Sequence, residues 1–395
     1  MARRDERSRD PVSMATAQSR REFLSGLLAG VGLVALRGLV PLEVHAQATR
    51  APDRLSRAQK TLETIILNHA RAKDNPWLII HGIRAMGKGL SIDGMPAVEY
   101  LCRHALREKS VNGKSYLHMP IDDEGHTNAF LSEGALDAGV QASYAFERNG
   151  RRQTIRDLVA GARALFTFDP ASFSSNDLAW SLIAFAHTTD PRKGTWVNAY
   201  GQTVRFSDVV EFGMTTLEAS TRGLRVTMDQ GKTLTQKDAI HEFTCGGTHL
   251  IYGLMSCVRF GFRHNGLADR MKAQVDLLVW RLSAEIGLID SYYKKSAGPS
   301  SEDLKRTYLL DAKLKFLGHA FEIINYARLF GLFSLSPAQR RAIDRAEEEL
   351  VGVIEAIGPE GVRPLVKHNS LVNLLVGDAC HAYHGIRMVK GINQA

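Results

Sequence analysis

Helix start signals recur along the sequence, and each is followed by apolar residues at helical spacing. Ser56–Gln59 (SRAQ) and Ser336–Gln339 (SPAQ) are capping boxes, and in the second a proline occupies the first helical position. Segments such as Leu267–Ile289 carry apolar residues three and four positions apart, which is typical of amphipathic helices. No series of alternating, strand-like segments is visible in the sequence. The pattern therefore predicts an all-α fold of about a dozen helices.

Three local expectations accompany this fold class. Residues 129–148 have a helical pattern, whereas residues 111–128 are rich in Gly, Asp and His and are expected to be irregular. Val226 and Met228 could form a short strand in an otherwise turn-rich region.

Several histidines stand at or near the start of apolar helical runs: His126, His249, His319 and His381. Many of these runs are apolar nearly all round, which predicts two concentric layers of helices. We therefore expect an (α/α) toroid of antiparallel helices, whose inner helices bring these histidines to a central funnel. A multi-layer helical bundle is the alternative.

The N-terminal segment has the layout of an export signal. Ser19–Leu24 (SRREFL) contains paired arginines and is followed by the weakly apolar run Gly26–Leu36 and by Ala46-Gln47-Ala48. SRREFL resembles the signal peptides of the twin-arginine (Tat) family, which implies export of the folded protein by the Tat translocase. We predict a signal peptide at residues 1–48, cleavage after Ala48, and a periplasmic or secreted helical domain at 49–395. An uncleaved N-terminal anchor is the alternative; after cleavage no stable membrane span is expected.

The charge and the motifs restrict the classes of partner. The formal net charge of +8 falls to +6 without residues 1–48, which hold seven Lys/Arg and five Asp/Glu. No Lys/Arg tract interleaved with aromatic residues is present, so we do not expect nucleic-acid binding. Neither a P-loop nor a G-x-G-x-x-G pattern occurs, so no nucleotide cofactor is expected. A small-molecule or polymer substrate is the expected partner.

Two short stretches concentrate residues that bind transition metals. The stretch HEFTCGGTHLIYG contains Cys245 and His249, and the stretch DACHAYH contains Cys380 and His381. Thiolate and imidazole are the usual ligands of zinc, and they also suit copper. The two stretches together therefore predict a four-ligand site for zinc or copper.

Other interpretations of these stretches remain open. Gly246-Gly247 interrupts the first stretch and predicts a helix that begins at Thr248-His249. The histidines could instead be buried polar residues hydrogen-bonded within a helical core. A Cys245–Cys380 disulfide would also bring the two stretches together without a metal.

A second set of residues suits acid/base chemistry. His319 and Glu322 lie three positions apart in an apolar helical run, where a carboxylate can orient a histidine and raise its pKa. Asp123 and His126 lie together in an acidic segment and are candidates for the counterpart. The alternative for the first pair is a surface ion pair, and for the second a solvated loop that caps the next helix. Isolated histidines are candidate substrate-binding residues or satisfied core residues: His81, His187 and His241.

Two resemblances to known families rest on these residues. Lys315–Glu322 (KFLGHAFE) resembles the G-H-x-x-E helix of N-acylglucosamine 2-epimerase-like (α/α) barrels, which implies proton transfer on a sugar by His319. Cys380-His381 resembles the Cys-His ligand pair of the zinc-binding lanthipeptide-cyclase-like toroids, in which a separate cysteine, here Cys245, is a further ligand. Ala382 follows the pair where that family has glycine.

These observations lead to one main functional hypothesis and two alternatives. We expect an exported enzyme of the epimerase, lyase or hydrolase class, with a His-lined funnel that performs acid/base chemistry on a saccharide-like or other polar substrate. The first alternative is a zinc- or copper-binding protein or metalloenzyme. The second is a helical binding protein without enzymatic activity.

Overall fold

Helices dominate the part of the chain that the computed structural model describes, namely residues 52–171, 177–235, 244–295, 302–365 and 368–389. The predicted signal peptide and His241 lie outside these described residues. The all-α fold class is confirmed, because the strands of this part of the chain are short and form no closed sheet. The toroidal arrangement of the helices stays a prediction.

The helices range from single turns to more than seven turns. They are α1 (Pro52–His69), α2 (Pro76–Met86), α3 (Ala97–His104), α4 (Ile121–Glu124), α5 (Ala129–Leu131), α6 (Ile155–Leu165), α7 (Leu178–Ala186), α8 (Phe206–Asp229), α9 (Thr248–Arg259), α10 (Leu267–Lys295), α11 (Glu302–Leu329), α12 (Pro337–Ile357) and α13 (Asn369–Val389). The predicted capping box of α12 is confirmed, since Ser336 and Gln339 exchange side chain to backbone hydrogen bonds. The helix start expected at Ser56–Gln59 is wrong, because α1 already begins at Pro52 and both residues lie inside it.

Short antiparallel hairpins separate the helices of the N-terminal half. They pair β1 (Ser91–Ile92) with β2 (Met95–Pro96), β3 (Arg107–Val111) with β4 (Lys114–His118), β5 (Ala145–Arg148) with β6 (Arg151–Thr154), and β7 (Thr195–Val197) with β8 (Thr203–Arg205).

Three of these hairpins turn through an Asx-Gly pair: Asp93-Gly94, Asn112-Gly113 and Asn149-Gly150. Both residues of each pair have positive φ, as a type I′ turn requires. The expectation of an irregular segment at 111–128 therefore missed the β3–β4 hairpin.

The helix expected over residues 129–148 is wrong. After α5 the chain forms a π-helical turn at Ser132–Leu136 and then extends into β5. The Asn149-Gly150 turn dictates an extended approach on both sides. The strand expected at Val226 and Met228 is also wrong, because both residues belong to α8.

Helix α11 is the central helix of the C-terminal half. Every residue from Phe316 to Ala327 is buried, so the helix contacts neighbouring protein on all sides. It crosses α13 at very short range. A Cβ atom at Gly318 would lie 2.9 Å from the backbone nitrogen of Ala382, and one at Gly385 would lie 2.9 Å from that of Glu322. Glycine at both positions therefore allows the two backbones to approach and brings their histidines face to face.

The four cysteines all carry free thiols, so no Cys245–Cys380 disulfide forms. Within the described ranges, the helices are too short or too polar for any of them to span a bilayer.

Candidate metal centre

Six segments bring their polar side chains to one buried location. The residues come from α2 (His81), the π-helical turn (Glu133), the loop before α9 (Cys245), the first turn of α9 (His249), α11 (His319) and α13 (His381). The ring centroids of His319 and His381 are 3.8 Å apart, and that of His249 lies 4.7 Å from His319 and 5.3 Å from His381. The prediction that the two His/Cys stretches meet is confirmed for His249 and His381, which line the same cavity.

One group consists of His81, Glu133 and His381. Each residue offers one ligand atom, these atoms lie within 4.8 Å of one another, and all three side chains are buried. Trp180 Nε1 donates a hydrogen bond of 2.9 Å to Glu133 Oε1. The other carboxylate oxygen, Oε2, is buried without a hydrogen-bond partner among the described residues. An unsatisfied carboxylate oxygen beside two imidazoles is a ready metal ligand.

A second group consists of Cys245, His249 and His319, whose ligand atoms also lie within 4.8 Å of one another. His319 Nε2 and both ring nitrogens of His249 are buried and have no hydrogen-bond partner among the described residues. The two imidazole rings are stacked with an interplanar angle of 23°. These nitrogens are therefore available for coordination.

Hydrogen bonds donated by Nδ1 orient three of the imidazoles. His81 donates to the carbonyl oxygen of Trp77 (2.8 Å), His319 to that of Lys315 (2.7 Å) and His381 to Glu322 Oε2 (2.8 Å). A proton on Nδ1 leaves the lone pair on Nε2. Carbonyl and carboxylate partners of this kind accompany metal-bound histidines in proteins.

Arg84 contacts three carboxyl groups around the centre. It donates from Nε to Glu322 Oε1 (2.8 Å) and from Nη2 to Glu322 Oε2 (3.2 Å). Its Nη1 lies 3.3 Å from Asp137 Oδ2 and 3.5 Å from Glu133 Oε1. One guanidinium therefore faces three buried carboxyl groups, and a bound cation would balance the remaining charge.

The carboxylate of Glu322 is a shared acceptor. Burial alone would raise its pKa, but Arg84 and the hydrogen bonds from His381 and His384 hold the pKa well below its usual range. Glu322 therefore orients His381 and His384, whereas the Nδ1 atom of His319, its expected partner, is bonded to a backbone carbonyl.

Burial favours the neutral form of three of the imidazoles. It lowers the pKa of His81 to about 4. Burial, reinforced by neighbouring histidines, holds the pKa values of His249 and His319 well below the usual range. The neutral imidazole is the form that binds metal ions. Burial also raises the pKa of the Cys245 thiol to about 12, so coordination to a metal would have to displace its proton.

Glu133, His249, His319 and His381 line a cavity with a volume of about 10 Å³. This is close to the space that one water molecule needs. The volume suits an ion with at most one small additional ligand. The lining residues are Arg84, Glu133, Ala179, Trp180, Ile183, Thr248, His249, Tyr252, His319, Glu322, Ile323 and His381.

The remaining predicted residues lie outside this cavity. His126 stacks on Trp180 at 3.8 Å, and its Nδ1 lies 3.1 Å from Asp177 Oδ1. Asp123 is half-buried and lines no part of the cavity. His187 packs against Phe260, with its Nε2 3.7 Å from Asp137 Oδ1.

Cys380 is buried within α13 and belongs to neither ligand group. In the structure His319 and His81 accompany the other predicted metal ligands, although the sequence suggested different roles for both.

Sequence reasoning missed Glu133 and Arg84. Arg84 is the single charged residue in the apolar helix Pro76–Met86, and charged residues are buried in this way only when they are paired. Glu133 stands in a π-helical turn, a rare feature that is frequent at functional sites but carries no clear sequence signal.

The chain matches no protein-family profile, no curated protein sequence and no solved structure. The class of protein is therefore defined by its own features: an all-α fold around a buried cluster of histidines and carboxylates with two groups that could hold a metal.

Proposed function

We propose that the protein is a zinc metalloprotein whose ion is bound by His81, Glu133 and His381. Two imidazoles and one carboxylate form a ligand set of zinc enzymes, in which the fourth position is left to water or substrate. The observation that carries the proposal is the convergence of these three ligand atoms within 4.8 Å. Their hydrogen bonds to Trp77, Trp180 and Glu322 support the same assignment, since metal ligands are usually oriented by such partners.

The cavity volume favours zinc over iron for this group. Two histidines and a carboxylate also bind non-haem iron, but such sites keep several open positions for additional ligands. A cavity of about 10 Å³ leaves room for about one small ligand, which fits four-coordinate zinc.

The same volume supports the metal-binding alternative over acid/base chemistry on a saccharide. Zinc lowers the pKa of a bound water and polarises carbonyl or phosphoryl oxygens. Arg84 holds Glu322 ionised. Glu322 accepts the hydrogen bond from Nδ1 of His381, so the lone pair of Nε2 remains available for a metal ion. This chain thereby supplies an oriented ligand set.

Export by the Tat pathway is part of this proposal. A buried ion is most simply acquired while the chain folds, and the Tat translocase carries folded proteins. The paired Arg20-Arg21 would then allow the loaded protein to reach the periplasm.

Metal analysis of the full-length protein tests the proposed function. We expect stoichiometric zinc in the isolated protein, and zinc added to the metal-free protein should raise its melting temperature, because a ligand that binds only the folded state stabilises it. Glu133→Gln should retain the shape of the side chain and weaken zinc affinity at the His81 group by at least ~10-fold, since even partners of ligands contribute this much.

His104→Ala is the matched control. His104 is exposed at the end of α3, so its removal should leave the zinc content unchanged. A protein that contains no stoichiometric metal and is not stabilised by added zinc would contradict the proposal. Iron in place of zinc would overturn the choice of ion.

A further inference from the structure

The backbone before α9 adopts an unusual conformation. Cys245 has φ 53° and ψ 33°, and Gly246 and Gly247 also have positive φ. The left-handed region is unfavourable for a residue with a side chain, because Cβ lies too close to the backbone there. Backbone strain of this kind clusters at functional sites, where the surrounding structure enforces it.

Two side chains enforce this turn. Arg281, which is buried on α10, donates from Nη1 to the carbonyl oxygen of Gly246 at 3.0 Å. Thr248 donates from its hydroxyl group to the carbonyl oxygen of Cys245 at 2.7 Å. A Cβ atom at Gly246 would lie 2.8 Å from Arg281 Nη2, so a side chain there would displace the guanidinium. The turn therefore holds Cys245 at a fixed place beside His249.

The ligand atoms that Cys245 faces are unsatisfied. His319 is 2% exposed, and its Nε2 has no hydrogen-bond partner among the described residues. Neither ring nitrogen of His249 has such a partner. A buried polar atom without a partner destabilises the fold, so three such nitrogens around one thiol require an explanation. A metal ion would satisfy them.

We propose that Cys245, His249 and His319 form a second metal site, which binds a thiophilic transition-metal ion such as copper or zinc. One thiolate and two imidazoles are a ligand set that suits these ions. Metal–ligand bonds of about 2.0–2.3 Å place ligand atoms roughly 3.3–3.8 Å apart, so closing the set around an ion requires side-chain movements of about 1 Å.

The second site extends the proposed function without depending on it. It shares no ligand with the first group, but the ring centroids of His319 and His381 are only 3.8 Å apart. The two ions would therefore be close neighbours. Unequal ligand sets, one with a carboxylate and one with a thiolate, would give the two ions different preferences.

Cobalt(II) is the probe for this proposal, because a cobalt–thiolate bond produces a charge-transfer absorption that cobalt bound to nitrogen and oxygen alone lacks. The metal-free, full-length protein is titrated with cobalt under reducing conditions. We expect two equivalents to bind and the thiolate band to develop. Cys245→Ser should abolish the band and reduce binding to one equivalent, whereas Glu133→Gln should retain the band.

Cys380→Ser is the matched control, since Cys380 is buried in α13 but belongs to neither ligand group, and this variant should retain the band. One equivalent of cobalt without a thiolate band would overturn the second site and leave the proposed function intact. A band that depends on Cys380 would also overturn it. Binding of one equivalent with the band, in wild type and in Glu133→Gln, would overturn only the first site.

Discussion

Arg84 lies next to the histidine cluster, and its guanidinium forms ion pairs with Glu322, Asp137 and Glu133. Tyr252 adds a 2.6 Å hydrogen bond from its hydroxyl group to Asp137 Oδ2, and its ring lies 4.6 Å from the guanidinium carbon. Because each charge in this buried network satisfies another, removal of one partner leaves the others without compensation. The network therefore links the stability of the fold to the orientation of His381.

At the residue scale, we expect Glu322→Gln to lower the free energy of unfolding by about 3–5 kcal/mol, because it leaves a buried guanidinium with too few acceptors. Denaturant unfolding at neutral pH measures this effect. The exposed pair of Arg54 and Glu355 provides the control, and Glu355→Gln should leave the stability nearly unchanged. Equal effects of the two substitutions would contradict this account.

The pH dependence of this contribution has a definite sign. The folded-state pKa of Glu322 is lower than its ordinary value of 4.5, so the unfolded chain binds the proton more readily. The stabilisation by the carboxylate is therefore fully present above about pH 4.5 and is lost as the pH falls towards the folded-state pKa.

At the scale of elements, the close crossing of α11 and α13 determines where the histidines lie. Gly318 directly precedes His319, and its missing side chain leaves space for the backbone of Ala382, next to His381. Gly318 and Gly385 do not break their helices, because Gly318 lies within the continuous helix α11 and Gly385 within α13. The crossing shows why the G-H sequence in α11 matters for packing as well as for chemistry.

Gly318→Ala should destabilise the protein by about 1–3 kcal/mol, since the added methyl group overlaps backbone atoms that cannot rotate away. It should also weaken zinc binding, because it displaces α11 from α13. Gly352→Ala is the matched control: this glycine lies in α12 with no atom within 4 Å of an added Cβ, and alanine there should be neutral or stabilising. Thermal unfolding and zinc titration of both variants decide the matter; similar behaviour of the two would disprove the packing argument.

Local elements could be predicted where the signal is confined to neighbouring residues. The capping box of α12 and the helix start at Thr248 are confirmed, because each depends on a few adjacent residues. The capping box needs only Ser336 and Gln339, and the helix start follows from Gly246-Gly247. The β5–β6 hairpin was missed although Asn149-Gly150 is a strong turn signal. In that region the apolar pattern at 129–148 favours a helix and competes with the signal of the turn.

At the scale of the whole molecule, the proposed metal centre bears on the proposed route of export. Residues of α2, α7, α9, α11 and α13 line the candidate centre, and an ion could bind while these helices pack together. Tat-dependent export would be compatible with this order, because the chain could bind its ion in the cytoplasm before translocation.

We therefore expect a variant with Arg20→Lys and Arg21→Lys to accumulate as an uncleaved precursor in a bacterial host with a Tat translocase. The wild-type protein should be periplasmic and shortened by residues 1–48. Cell fractionation and mass spectrometry of the N-terminus measure both effects. Export of the double variant at the wild-type level, or an intact N-terminus on the exported protein, would argue against this pathway.

The all-α class, several helix boundaries and the residue types of the candidate site could be predicted from the sequence, because caps, periodicity and residue type act over a few positions. Which residues meet depends on how the helices pack. His81 and His381 are 300 positions apart in the chain, and Glu133 joins them through a π-helical turn. The close approach of His319 and His381 likewise depends on a helix crossing that glycine at 318 and 385 permits, and such long-range packing has no signal in any single stretch of sequence. Cys245 and His249 accordingly form a possible ligand group with His319. Cys380 is a buried free thiol within α13 and belongs to neither group.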